Sequence, residues 1–332
     1  MSKRIFYISV DIEGIAGVVA PWQCQRQPDE LAYRQAVDTM AREAVFVALA
    51  ALKNDFTEVW INDAHAHMTN LGLGHLEHWC DALGQPQALK QLVLLSGKPK
   101  SCAMLAHLDS PPSGKHPSPT VKGVSAIAFV GYHAKASTQN AVLCHSFHPL
   151  IIDIAVNGMS LGEGGLNALH AVYSHHIPVV FASGDDAFVN EFSTLLPHVP
   201  TVATKHSLGF ATARCLSWDA VAALYTASLK KVFTGVSVWQ QWQGPLALLL
   251  GDTKESRGAS GKRGLEKSSK TAWDVVVTVA NPLCADAIGN IPGWRRLNGV
   301  TLSASFDTVR LLYQGLQTAY GLLPGLAPWQ PY

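Results

Sequence analysis

Charge is scarce in this chain, and long hydrophobic runs are missing. Charged side chains make up 15% of the 332 residues, and the formal net charge is +1. A near-neutral chain offers no overall attraction for nucleic acid or a membrane surface, so neither is expected as a partner. No stretch reaches the roughly 18 uncharged apolar residues of a transmembrane helix. The apolar run Ile5–Val10 meets acidic residues at once, which argues against a secretory signal peptide and predicts a cytoplasmic protein.

Cysteine motifs are missing as well. The 6 cysteines are scattered and none forms a Cys-x-x-Cys pair, which excludes zinc fingers and a thioredoxin-like redox site. Reduced thiols are the expected state of such cysteines in a cytoplasmic protein. Histidine, by contrast, is plentiful, with 14 in the chain, and hydrophobic residues make up 48% of it. This composition predicts a well-packed globular protein that is worth searching for a metal site.

Short apolar runs alternate with segments of helical periodicity. Strands are predicted at Ile5–Val10, Glu58–Ile61, Leu92–Leu95, Ala126–Val130, Ile151–Val156, Val179–Ala182 and Val275–Val279. Helices are predicted at Asp29–Lys53, Leu166–Tyr173, Asp186–Leu196, Asp219–Phe233 and Asp307–Tyr320. Asp186 and Asp307 are expected to supply a carboxylate to the N-cap or first turn of their helices. The alternation predicts an α/β fold with a largely parallel central sheet flanked by helices and a smaller α/β C-terminal portion.

Two polar segments interrupt this alternation. Residues 109–120 are rich in proline, and residues 252–270 are rich in Gly, Ser, Lys and Arg, so both are predicted to be loops. The basic segment lacks interleaved aromatic residues, which favours a solvated loop over a nucleic-acid patch. We divide the chain into a catalytic metal-binding α/β region (1–233), a variable basic loop region (234–272) and a C-terminal α/β portion (273–332). The last is expected to pack on the core or to mediate oligomerisation.

Acidic and histidine side chains follow several predicted strands. Asp11 and Glu13 follow the first strand two residues apart, so their side chains point to the same side. His65 and His133 each follow a later strand, and Glu163 stands on a glycine-lined bend before a helix. Alone, each residue is more often a surface or packing residue than a ligand. The carboxyl ends of parallel strands meet at one edge, where α/β proteins bind ligands, so together the residues predict one site.

Three carboxylates and two imidazoles suit zinc, although manganese or cobalt would accept the same set. They exceed the three protein ligands of a mononuclear catalytic zinc, which favours two metal ions about 3.5–4 Å apart. Two Zn²⁺ and three carboxylates leave a charge of about +1, which a bridging hydroxide would cancel. Asp11, at the end of its strand, is the candidate for the carboxylate that bridges the ions.

Other polar residues near these ligands carry more than one interpretation. His145 is a candidate general base, proton donor or nucleophile, and orienting a ligand is nearly as good an interpretation. Its neighbour Cys144 is disfavoured as a nucleophile, because adjacent strand residues face opposite sides and a buried thiol is usually inert. Asn62 and Asp63 suit either partners of the ligands or caps of a turn. Lys205 could meet a substrate carboxylate, but base rates favour a surface lysine.

A set of short motifs occurs in an order that resembles a known family. The motifs are Ser9–Gly14, Asn62–His65, Gly131–Thr138, His145–Ser146 and Gly162–Ala168, with further matches at 184–186, 204–205, 214–217, 291–293 and 299–301. They resemble the zinc-dependent D-aminopeptidase family, the metallopeptidases encoded in dipeptide-permease operons. Departures from the pattern are the loop at 109–120, the longer segment at 235–271, and Phe210, where relatives tend to carry a basic residue.

The resemblance implies a function and a set of roles. It implies a dinuclear zinc site whose ligands are Asp11, Glu13, His65, His133 and Glu163. His145 would be the catalytic residue. It also implies an α/β core, ring-shaped self-compartmentalising homo-oligomers, and release of N-terminal D-amino acids from short peptides.

We therefore expect a dinuclear zinc aminopeptidase that attacks its substrate with a metal-activated bridging hydroxide. One alternative is a dinuclear metallohydrolase acting on another amide or on a phosphoester. A phosphoester usually calls for a basic clamp, and Lys135 is the one basic residue within the ligand motifs. The other alternative is a metal-dependent peptide-binding module without catalysis, for which His145 would be superfluous.

Overall fold

The computed structural model describes residues 3–108, 123–235, 246, 249 and 272–323. The predicted loops at 109–120 and 252–270 lie outside the described residues. The strands are β1 (Ile5–Val10), β2 (Glu58–Asp63), β3 (Leu92–Leu95), β4 (Val124–Tyr132), β5 (Ile151–Val156), β6 (Met159–Ser160), β7 (Val179–Asp185), β8 (Thr201–Gly209), β9 (Thr212–Cys215), β10 (Trp273–Val279), β11 (Arg295–Arg296) and β12 (Thr301–Phe306). The helices are α1 (Glu30–Leu52), α2 (Leu73–Ala82), α3 (Glu163–His175), α4 (Asp186–Leu195), α5 (Trp218–Thr234), α6 (Pro282–Gly289) and α7 (Val309–Gly321).

The larger sheet has the strand order β3-β2-β1-β4-β7-β8-β9. Its neighbouring strands pair in parallel, except that β9 folds back antiparallel on β8. The predicted largely parallel central sheet is therefore confirmed. Val10, the last residue of β1, pairs with Asp63 of β2 and Val130 of β4. This register places the carboxyl ends of the three strands side by side.

The smaller sheet has the order β11-β12-β10-β5-β6, and its pairs are antiparallel. It confirms the predicted smaller α/β portion. The sheet also takes in β5 and β6 from the middle of the chain, because β5 pairs with β10. The division of the chain at residues 233 and 272 stays a prediction.

The central sheet is buried on both faces. Phe6 and Ile8 of β1 join the apolar core that contains α1 and α5, whereas Tyr7 joins the core on the opposite face. Burial on both faces explains why β1 appears in the sequence as a continuous apolar run instead of an alternating one. No helix in the described part of the chain is both long and apolar enough to cross a membrane.

Capping carboxylates were predicted at the N-termini of α4 and α7, and the structure has one of the two. Asp186 lies in the first turn of α4, as predicted, and the side chain of Asp185 caps this helix by accepting from the N–H of Phe188. The prediction for Asp307 is wrong. The hydroxyl of Thr308 accepts from the N–H of Leu311 and caps α7, so the helix begins beyond Asp307.

Candidate metal centre

The structure brings the five predicted ligands together at the carboxyl edge of the central sheet. Asp11 and Glu13 follow β1, His65 lies two residues beyond β2, His133 directly follows β4, and Glu163 begins α3. Each is at most 8% exposed. Three carboxyl groups buried beside two imidazoles require compensating positive charge when they are ionised.

One cluster consists of Asp11, Glu13 and His65. His65 Nδ1 lies 3.1 Å from Asp11 Oδ1 and 3.2 Å from Glu13 Oε2. One ligand atom from each residue lies within 4.8 Å of the others. We call these residues the first ligand group.

A second cluster consists of His133, His145 and Glu163, and we call it the second ligand group. His133 Nε2 lies 3.5 Å from Glu163 Oε1, and His145 Nε2 lies 3.8 Å from the same oxygen. The rings of His133 and His145 stack with centroids 4.1 Å apart and an interplanar angle of 12°.

Asp11 faces both groups. Its Oδ1 approaches His65 of the first group, and its Oδ2 lies 3.6 Å from His133 Nε2 of the second. A carboxylate with one oxygen directed at each cluster has the arrangement of a ligand shared by two cations. The prediction of Asp11 as the bridging residue stays a prediction, and this geometry is compatible with it.

Backbone carbonyls select the protonated nitrogen of each histidine. His65 Nε2 lies 2.7 Å from the carbonyl of Cys24. His133 Nδ1 and His145 Nδ1 each lie 2.9 Å from the carbonyls of Ala134 and Leu143, respectively. A carbonyl oxygen can only accept, so these nitrogens carry the protons. The opposite nitrogens, which face the carboxylates, then present lone pairs when the rings are neutral, as in histidines that bind metals.

The donor set fits metal ions on two further observations. Glu13 Oε2 and His133 Nε2 are buried and make no hydrogen bond within the described residues, so the 3.2 Å approach of His65 to Glu13 lacks hydrogen-bond geometry. Donor separations of 3.1–3.6 Å in the two groups are close to the edge of a tetrahedron of zinc ligands, about 3.4 Å for bonds near 2.1 Å.

In the site, burial and the attraction between opposite charges shift the pKa values of the side chains in opposite directions. Burial and the neighbouring Glu13 raise the pKa of Asp11 to about 7. Burial also favours neutral Glu13 and neutral His65, but their mutual attraction outweighs it, so the pKa of Glu13 is lowered and that of His65 is raised well above its usual value. His133 behaves like His65, because Glu163 attracts its charged form despite the burial. Protons and metal ions would therefore compete for the same nitrogens.

His145 differs from the other two histidines. Burial and the nearby His133 lower the pKa of His145, so its ring is neutral at pH 7. Its side chain is 26% exposed, compared with 10% for His65 and 1% for His133, so it is the most accessible of the three. Its distance to Glu163 is also compatible with a ligand. The sequence-based assignment of His145 as a catalytic residue outside the ligand set stays a prediction.

Asp63 caps the loop that carries His65. Its Oδ2 accepts from the N–H groups of Asn70 and Leu71 at 2.6 and 2.8 Å, and its Oδ1 accepts from the side chain of Asn70. Asp63 Oδ1 also accepts from the N–H of His65 at 3.3 Å, so Asp63 both caps the turn and contacts a predicted ligand, as the two interpretations left open for it required. Asn62 is engaged with the segment beyond β3, because its Oδ1 accepts from Lys100 Nζ at 2.8 Å.

The interpretation of Lys205 as a surface lysine is wrong, and its contact with a substrate carboxylate stays a prediction. Lys205 is fully buried, and its ammonium donates to the carbonyls of Glu13 at 2.5 Å and Ile15 at 2.8 Å. It therefore touches the main chain of a predicted ligand instead of solvent. Base rates favoured the surface because an isolated lysine does not reveal that backbone carbonyls will surround it.

A buried glutamate was missed by the sequence analysis. Glu43 of α1 accepts from the N–H of Ala16 at 2.8 Å and from the hydroxyl of Tyr225 at 2.6 Å. Burial raises its pKa to about 7. A carboxylate among the apolar positions of a helix, between Met40 and Ala44, was the signal that could have identified it.

The family model described as D-aminopeptidase matches residues 4–318. The chain belongs to the D-aminopeptidase family. A D-aminopeptidase from Bacillus subtilis (strain 168) is 33% identical over 211 residues, which cover 64% of this chain and 67% of that relative. The resemblance inferred from the motifs is confirmed, and so is the expectation of an enzyme, a hydrolase of peptide bonds.

A solved structure shares the fold of this family member. It is described as the Zn-dependent D-aminopeptidase DppA from Bacillus subtilis, a self-compartmentalizing protease. It superimposes with a TM-score of 0.76 at 24% sequence identity, covering 98% of this chain and 100% of that chain. The predicted α/β class and the two-sheet architecture thus have a counterpart of known structure.

Proposed function

We propose that this chain is a dinuclear zinc aminopeptidase that releases N-terminal D-amino acids from short peptides. The observation that carries the proposal is the pair of buried ligand groups, with Asp11 of the first group directing its second oxygen at His133 of the other. The choice of zinc is supported by the mixture of nitrogen and oxygen donors and by the zinc dependence of the Bacillus subtilis protein with the same fold. Manganese or cobalt would accept the same donors.

Each ion has its own ligands in this proposal. Asp11, Glu13 and His65 would hold one ion, and His133 and Glu163 would hold the other, with Asp11 shared. When bound, the two ions would supply Lewis-acid polarisation of the scissile carbonyl and activation of the water that attacks it. The remaining chemistry belongs to the side chains of the chain itself.

His145 would carry the proton between the attacking water and the leaving amine. Its Nδ1–H is held by the carbonyl of Leu143, so the lone pair on Nε2 is free to accept a proton. The lowered pKa of His145 keeps this nitrogen unprotonated at neutral pH. Glu163, 3.8 Å away, would stabilise the imidazolium formed after proton transfer. The protonated ring then donates to the amine nitrogen as the peptide bond breaks.

We further propose that the enzyme acts in the cytoplasm as a ring-shaped homo-oligomer. The self-compartmentalizing assembly of the Bacillus subtilis protein supports the oligomer. Several large apolar side chains of this chain are more than half exposed, which suits subunit contacts: Leu31, Leu73, Leu208 and Phe210. Preference for a D-residue follows from membership of the family.

The decisive experiment combines metal content with paired substrates. Purified protein is analysed for bound metal and is then given D-Ala and L-Ala dipeptides. About two zinc ions per chain together with selective cleavage of the D-peptide are expected. One ion per chain at full activity would overturn the dinuclear site, and cleavage of the L-peptide alone would overturn the D-preference. Binding of peptide without product would favour the binding-module alternative.

A further inference from the structure

Side chains of β8 bind three consecutive backbone carbonyls, the first of which belongs to the predicted metal ligand Glu13. The segment 11–16, which we call the ligand loop, carries Asp11 and Glu13. Lys205 donates to the carbonyls of Glu13 and Ile15 at 2.5 and 2.8 Å. Thr204 donates to the intervening carbonyl of Gly14 at 2.6 Å, and the carbonyl of Gly184 lies 3.0 Å from the same hydroxyl. The two side chains thus hold the loop from outside the site, across about 190 residues of sequence.

The two side chains that hold the ligand loop are polar and buried, which opposes folding unless they are compensated. Thr204 and Lys205 are both fully buried. Desolvating an ammonium costs several kcal/mol, and carbonyl oxygens compensate this cost only in part. An apolar side chain of similar length would avoid the cost while filling the same volume. We therefore attribute the presence of Lys205 to the conformation that it imposes on the ligand loop.

Glu13 depends on that conformation more than Asp11 does. The N–H of Asp11 bonds to the carbonyl of Val130 at 2.8 Å, which ties it to β4. Asp11 Oδ1 also accepts from the N–H of Ile12. Glu13 Oε2 has no hydrogen-bond partner in the described residues. The direction of the Glu13 side chain therefore depends on its main chain. Lys205 binds the carbonyl of Glu13, and the N–H of the next residue, Gly14, donates to the carbonyl of Gly131 at 2.8 Å.

We propose that Thr204 and Lys205 are positioning residues that hold the Glu13 carboxylate where it binds metal. The inference rests on the proposed function, in which Asp11, Glu13 and His65 hold one of two ions. Loss of either side chain would let the ligand loop shift and would weaken the first ligand group. Residues that orient metal ligands typically contribute 10–100-fold to metal affinity. In the described part of the chain, no hydrogen bond or ion pair joins the second ligand group to either side chain, so this group is expected to keep its affinity.

Matched variants on β8 test this inference without relying on turnover. Thr204→Val keeps the volume and removes the hydroxyl, whereas Thr204→Ser keeps the hydroxyl. Lys205→Met keeps most of the length and removes the ammonium. Metal affinity is measured by competition with a chelator, and the ligand field is read from the absorption spectrum of the cobalt-substituted protein. Val202→Ala, a buried apolar change on the same strand, controls for a general loss of stability.

The expected result is an approximately tenfold or greater loss of affinity for one of two ions in Thr204→Val and Lys205→Met, with an altered cobalt spectrum. Thr204→Ser and Val202→Ala should match the wild type. Wild-type affinity and spectrum in Thr204→Val would overturn the inference, and this comparison decides it even if Lys205→Met fails to fold. A wild-type protein that binds a single ion would overturn the dinuclear proposal instead, and the Val/Ser comparison would still test the positioning role.

Discussion

At the scale of single residues, Asp11 is the group on which both clusters depend. Asp11→Asn replaces one carboxylate oxygen with an amide nitrogen that cannot act as a ligand, so both ions should bind more weakly. We expect loss of bound metal and at least a 100-fold loss of activity, measured by metal analysis and kcat. Asp274→Asn makes the same charge change on an exposed residue of β10 and serves as the control. An inactive Asp11→Asn protein that retains two ions would contradict the bridging role.

Substitution of His145 is expected to leave the bound metal in place, in contrast to substitution of Asp11. His145→Ala should retain its metal and lose kcat by about 100-fold or more, because the proton carrier is gone while the ligands remain. Metal content and steady-state kinetics are measured together, with His206→Ala, a partly exposed histidine on β8, as the matched control. If an ion is lost along with turnover, His145 belongs to the ligand set, as its 3.8 Å distance to Glu163 would then indicate.

The raised pKa of Glu43 predicts that the free energy of unfolding depends on pH. Its pKa is raised to about 7 in the folded protein, so between pH 4.5 and 7 the folded state holds a proton that the unfolded state has released. The free energy of unfolding should therefore fall as the pH rises through this window, by at most about 3 kcal/mol from this residue. Glu43→Gln keeps an acceptor for Ala16 and cannot ionise. Urea unfolding at pH 5 and pH 8 should show the variant gaining stability relative to the wild type as the pH rises, and an unchanged difference would contradict the assigned pKa.

At the scale of elements, the site depends on close contact between the ligand loop and the end of β4. A Cβ atom at Gly14 would overlap the carbonyl oxygen of Tyr132, which is backbone and cannot give way easily. Gly14→Ala should displace the loop, lower metal affinity and reduce stability by about 1–3 kcal/mol. Gly74→Ala is the matched control, because no atom lies within 4 Å of its new Cβ in α2. Chelator competition and thermal unfolding of both variants measure the effect, and full metal affinity in Gly14→Ala would show that the loop tolerates the shift.

The elements recovered from sequence are those with strong apolar patterns. Each predicted strand and helix overlaps an observed element. Elements with weaker patterns were not predicted from the sequence. Among them are β8, where apolar residues mix with Thr204, Lys205 and His206, and α2, which buries only Leu76 and Cys80. The pairing of β5 with β10 was not predicted either, because pairing between distant strands leaves no local periodicity.

The predicted ligands came together for a simple physical reason. Asp11, His65 and His133 each lie just beyond a parallel strand, and parallel strands end at a common edge. The contacts that hold the ligands in place were not predictable in this way. Lys205, Thr204 and Glu43 reach the ligand loop through packing between elements far apart in the chain, and a single residue of each type carries no sign of its acceptor.

At the scale of the whole molecule, metal should contribute to stability. The clustered carboxylates repel one another, and a metal bound only by the folded state shifts the unfolding equilibrium by mass action. Removing metal with EDTA should lower the Tm by roughly 5 °C or more, and added zinc should restore it. Asp11→Asn, which is expected to lack metal already, should show little further change. A Tm that is insensitive to EDTA in a protein shown to release its metal would contradict this stabilisation.

The residues that form and hold the site are far apart in the sequence, which affects when the site can form during translation. The first ligand group is complete at His65, yet the ligand loop rests against β4 and is held by Lys205, which is translated much later. A nascent chain that ends before β8 therefore has all five predicted ligands but lacks Thr204 and Lys205, which hold the ligand loop. We expect metal to be captured late in synthesis, so that a chain stalled before residue 205 would emerge without a tightly bound ion.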